Sequence, residues 1–119
     1  MNTAYLKTLT IILIFMGEVL AIYSEIAAAR NYSFKEHPFA SAFFKILPII
    51  VLASTLLLIG YMLGLKSFKN IWVVSAISIT SILIMEPIIA YTVTNQLPTR
   101  GAIAGLIFGV LGFMSALFL

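Results

Sequence analysis

Four apolar runs of about twenty residues, separated by short polar breaks, constrain this chain more than any other feature. They cover residues 8–29, 43–64, 71–93 and 101–119. A helix crossing the hydrocarbon core of a bilayer needs about 20 apolar residues. The breaks carry the turn and charge signals of loops: residues 30–38, 66–70 and 95–100, with Pro38, Asn70 and Pro98 among them. Strands of a membrane barrel would alternate with period two, and these runs do not. The sequence therefore predicts an all-α integral membrane protein, a four-transmembrane-helix bundle forming one domain over residues 1–119. Composition agrees, with 62% hydrophobic residues against 9% charged and a mean hydropathy of +1.15. A soluble domain sits near half apolar and a quarter charged. A soluble enzyme, a nucleic-acid binder and a disordered tail are excluded on that ground.

The charge pattern says where the chain meets lipid, and little about its orientation. Net charge is +3, from seven Lys and Arg against four acidic residues. The cations sit at the ends of apolar runs, where they reach lipid headgroups rather than nucleic acid. Lys7, Lys66 and Lys69 fall on one side, and Arg30, Lys35, Lys45 and Arg100 on the other. A bias of one is too small for the positive-inside rule. Either the sequence does not report its topology, or the chain inserts both ways and pairs antiparallel. The first run follows Lys7 as a signal peptide would, but its length and the carboxylates Glu18 and Glu25 argue against cleavage. With no cysteine there is no disulfide or thiolate chemistry, and the single His37 reads as a solvated loop residue.

Carboxylates inside the apolar runs need a reason, since one mid-helix costs at least about 2.5–3.5 kcal/mol on insertion scales. Glu18 lies almost at the centre of the first run, and every cation in the chain lies near a run end. Desolvation without a partner favours the neutral acid over the carboxylate. Glu18 is thus a candidate reversible proton site, or else a permanently neutral acid bonded to a Ser or Thr of another helix. Glu25, seven residues on, falls on nearly the same face about 10 Å nearer the far surface. Glu86 falls at a similar depth in the third run, followed by Pro87, which removes a backbone hydrogen bond and can kink the helix. An ion-pair cluster with Lys45, Arg30 and Arg100 would account for Glu25 and Glu86 structurally. A place in a substrate or proton path is the alternative.

The third run also carries Ser75, Ser78, Thr80 and Ser81; Ser75 and Glu86, eleven apart, share a face. This stripe either lines a polar cavity or hydrogen-bonds neighbouring helices. In the fourth run Gly101, Gly105 and Gly109 recur every four residues, and Gly112 and Ser115 continue the small surface. That spacing predicts a close helix–helix contact, within or between chains. Trp72, opening the third run, reads as an interfacial anchor. Without Asp, Cys, H-E-x-x-H, G-x-S-x-G or a phosphate-loop pattern, no enzyme, metal or cofactor is expected.

Gly17-Glu18-Val19 in the middle of the first of four short helices resembles the small multidrug resistance family, within the larger drug/metabolite transporter superfamily. Gln96-Leu97-Pro98 through Gly101-Ala102-Ile103-Ala104-Gly105, ending in Gly109-Val110-Leu111-Gly112, is similar to the superfamily's last-helix pattern. Glu86-Pro87 is similar to a Glu-Pro found one helix earlier in larger relatives and in some lipid-linked-sugar flippases. The resemblance implies antiparallel protomers whose first-helix glutamates take protons or a cationic substrate in turn, with the fourth helix forming the dimer. Only Glu18 and the helix-four glycines carry over. Ser and Ile stand where the family has a drug-contacting aromatic in its third helix, and Glu25 and Glu86 join the usual single carboxylate. The expectation is a small proton-coupled transporter in a bacterial inner membrane, for a cationic, amphipathic or lipid-linked substrate. It would act as a homodimer or with a similar chain. The alternative is a non-catalytic accessory subunit of a larger membrane complex.

Overall fold

The computed structural model describes residues 3–119 and has four α-helices: α1 (Thr3–Ser33), α2 (Phe39–Phe68), α3 (Ile71–Thr94) and α4 (Arg100–Phe118). Among the described residues there is no strand, and all four helices are long and apolar enough to cross a membrane. The expected all-α, multi-pass membrane architecture is what the chain adopts. The molecule measures 48 × 34 × 17 Å. Its long dimension is about that of a bilayer with its headgroup regions, ~40–45 Å.

α1 and α2 run to 31 and 30 residues, several more at each end than their apolar runs. Hydropathy marks where lipid contact stops. Backbone hydrogen bonding continues until something breaks it, and the breaks are local. α2 ends where Lys69 turns left-handed (φ 58°) and its amide donates to the Leu65 carbonyl at 2.9 Å. Asn70 then caps α3, its side-chain oxygen accepting from the Trp72 amide at 2.9 Å. At the far end of α3, Asn95 (φ 56°) repeats the left-handed stop, and Thr99 accepts from the Ala102 amide at 3.1 Å to start α4. Such caps satisfy orphaned terminal groups. Pro48 and Pro87 lie inside α2 and α3 without ending them.

The core belongs to the first three helices. α1 packs on α2 and α3, while among the described residues the backbone of α4 comes close only to α3, and α4 has no buried residue. Glycines decide the α1–α2 crossing. A Cβ on Gly17 would lie 2.8 Å from Leu57 Cγ, and one on Gly60 2.7 Å from Ile14 Cγ1. A Cβ on Gly64 would lie 2.9 Å from both Thr10 Cγ2 and Val74 Cγ2, where α1, α2 and α3 converge. In lipid, where no hydrophobic force draws helices together, van der Waals contact at this range is what holds them. At one end of the bundle Tyr32, Phe39, Phe43 and Phe44 form a chain of ring contacts 5.2–5.8 Å apart. At the other end Lys7 Nζ sits 5.3 Å from the centroid of the Phe68 ring.

Candidate functional site

Most of the polar side chains inside the helices satisfy themselves. Thr10 bonds the Leu6 carbonyl at 2.8 Å, Ser24 that of Leu20 at 2.6 Å, Thr80 that of Ala76 at 2.7 Å and Ser81 that of Ile77 at 2.9 Å. Each reaches four residues back along its own helix, the ordinary way for Ser and Thr to sit in an apolar helix. Ser78 does something else. Buried in α3, it donates across to α1, its Oγ 2.5 Å from Glu18 Oε1.

Packing explains why these two residues meet. Gly17 turns toward α2, with Ala53 O only 3.2 Å from where its Cβ would be. The next residue lies about 100° around a helix of 3.6 residues per turn, which takes Glu18 off the α2 face and toward α3. Glu18 is half-buried. Its other oxygen, Oε2, accepts no hydrogen bond and yet is not sealed inside the protein, since Arg30 Nε is the one buried unpartnered side-chain atom among the described residues. One face of the carboxyl is therefore fixed by Ser78 and the other is reachable. That is an arrangement suited to taking up and releasing a proton or a small cation.

The remaining candidates do not join Glu18. Ser75 is half-buried and lines a separate cleft of about 480 Å³ with Trp72, Phe113 and Ala116. Glu25 is exposed on α1. Glu86 is also exposed and opens into a different cleft between α3 and α4. Neither makes an ion pair among the described residues, so the end cluster with Lys45, Arg30 and Arg100 does not form. Similar depth along the bundle did not bring these groups to the same side. Arg30 serves another purpose: its Nη1 reaches the Val93 carbonyl at 3.4 Å, tying the end of α1 to the last turn of α3. Cations are favourable at a helix C-terminus.

The glycine stripe of α4 makes no close contact among the described residues. Nothing lies within 4 Å of a Cβ built on Gly105 or Gly112; Gly109 would meet Leu83 at 3.5 Å and Gly101 only Thr99 at 3.9 Å. The intimate packing falls instead on Gly17, Gly60 and Gly64, which sequence reasoning passed over. The signal was there as Gly60-x-x-x-Gly64 on α2 and as the glycine directly before Glu18. Comparison with protein-family models, curated proteins and solved structures returns no match to this chain.

Proposed function

We infer that this chain is a small proton-coupled membrane transporter, multi-pass in a bacterial inner membrane, for a cationic, amphipathic or lipid-linked substrate. Glu18 is the site at which proton and substrate alternate. The observation that carries the reading is the cross-helix bond from Ser78 to Glu18 Oε1, with Oε2 left open (2.5 Å). A carboxyl held at mid-membrane by one hydroxyl is rigid enough to be specific and free enough to exchange. Bound proton and bound cation compete for the same charge, which is the simplest form of coupling. The resemblance of Gly17-Glu18-Val19 to the small multidrug resistance family supports the same reading, as does an α4 with no buried residue, whose outer surface is free for a second protomer. Vesicles with an imposed pH gradient should accumulate tetraphenylphosphonium with the wild type and not with Glu18→Gln, whose neutral amide keeps the fold. Uptake by the Gln variant at the wild-type rate would reject the reading.

One observation favours a second reading, that of an accessory subunit of a larger membrane complex. α4 has no buried residue and among the described residues its backbone comes close only to α3, as a helix does when its main contact is with another polypeptide. Native mass spectrometry from mild detergent separates the two. A homodimer supports the transporter, and a stable complex with a foreign subunit supports the accessory role.

A further inference from the structure

Between α3 and α4 lies a cleft of about 480 Å³, within the ~300–1,000 Å³ range of small-ligand sites. Its walls are apolar, formed by Ile82, Leu83, Pro87, Leu97 and Leu106, and Gly105 leaves its α4 side open because no Cβ projects there. Glu86 is the only charged residue that lines it. That carboxylate has no ion-pair partner among the described residues. It lies eight residues before the end of α3, about 12 Å along the helix axis. An unpartnered carboxyl at that depth, in a groove open sideways between two helices, is an electrostatic feature that a cationic headgroup complements. We propose that this cleft binds a single-chain amphipathic cation arriving from the lipid phase, with its ammonium group on Glu86.

The lining fixes the orientation. Thr94 and Gln96 stand at the end of the cleft nearest the α3–α4 turn, so polar substituents of the ligand lie there. Ile82 and Leu83 continue toward mid-membrane and take the alkyl chain. A divalent metal is a poor occupant, because no group of three potential ligands exists among the described residues. A neutral lipid would leave the charge unpaired. The site is separate from Glu18: Ser78, which holds Glu18, is eight residues before Glu86 on α3, again about 12 Å away along the axis. Binding here therefore stands whether or not the chain transports anything.

The test uses the full chain in phosphatidylcholine nanodiscs with a diazirine-bearing dodecylamine, followed by mass-spectrometric mapping of the labelled residues. Dodecanol carrying the same diazirine is the neutral control. The amine should label the α3–α4 walls at residues 82–106 well above the alcohol. Glu86→Gln should lower that labelling about tenfold, the effect of losing one partly desolvated charge pair. Ala102→Leu keeps the charge, fills the exposed α4 side of the cleft and should lower labelling as well. Glu18→Gln should leave it intact. The proposal is overturned by amine labelling no stronger than that of the alcohol, or by labelling that survives Glu86→Gln. It is overturned equally if Glu18→Gln abolishes labelling while Glu86→Gln preserves it, an outcome that would move the ligand to Glu18 and leave the transport reading standing.

Discussion

Replacing Gly60 with alanine adds one methyl group at the tightest point of the α1–α2 crossing. The new carbon would lie 2.7 Å from Ile14 Cγ1, 3.4 Å from the Ile14 amide nitrogen and 3.4 Å from Leu13 Cβ. Carbon atoms pack best at ~3.5–4.0 Å, so the first of these contacts is short by nearly an ångström. Ile14 is 0% exposed, and the atom in the way is its Cγ1, near the backbone rather than at the far end of the side chain. The helices must separate, and separation loosens the neighbouring approaches at Gly17 and Gly64. Overpacking of this kind costs about 1–3 kcal/mol, offset in part by the better helix propensity of alanine, at most about 1 kcal/mol. Gly105→Ala is the control: nothing lies within 4 Å of its new methyl, so stability should hold or rise slightly. The chain has no cysteine, so Tyr5→Cys and Lys66→Cys on exposed positions of α1 and α2 accept a dye pair specifically. Energy transfer during an SDS titration then reads the separation of α1 from α2 directly. Gly60→Ala as stable as the wild type, or Gly105→Ala equally damaging, would refute the assignment of the core to the first three helices.

Ser78→Ala leaves Glu18 without its only hydrogen-bond donor among the described residues and should cost about 1–3 kcal/mol in the same titration, whereas Ser81→Ala, which loses only a bond within its own helix, should cost under about 1 kcal/mol. Equal losses would mean that the cross-helix bond does not form. Double-mutant cycles on Glu86 with Lys45, and on Glu25 with Lys45, should be additive to within about 0.5 kcal/mol, because neither pair is joined. A coupling above about 1 kcal/mol in either cycle would contradict the structure. Gly105→Leu should leave a folded chain that no longer crosslinks to a second copy in native membranes. Unchanged crosslinking would place the contact away from the α4 glycines.

Element existence was legible because membrane helices are written in bulk hydropathy, which needs no knowledge of packing. Glu18 stood out as a candidate on the same signal, a carboxylate far from every cation, and the structure adds its cross-helix bond from Ser78. What hydropathy could not supply is rotation about the helix axes. Ser75, Ser78 and Ser81 are equivalent as a polar stripe, and only the roll of α3 against α1 selects Ser78 as the partner of Glu18. The same limit separates the two glycine patterns. Gly101, Gly105 and Gly109 make the longer run, yet Gly60 and Gly64 are the ones that meet α1, because a glycine is a contact only where another helix has a surface to match it. The ion-pair cluster did not form because equal depth fixes one coordinate out of three. The helix ends at Ser33, Phe39 and Phe68 lay beyond the apolar runs because hydrogen bonding, not hydropathy, ends a helix.

The central claim is that Glu18 exchanges its proton within the folded, membrane-embedded chain. Infrared difference spectroscopy of the protein in lipid, recorded as tetraphenylphosphonium is added at fixed pH, reads that exchange directly. A protonated-carboxyl band should disappear as the cation binds, a carboxylate band should replace it, and both changes should be absent in Glu18→Gln while persisting in Glu25→Gln. A carboxyl signal that the cation leaves unchanged, or one that survives in Glu18→Gln, would contradict the account.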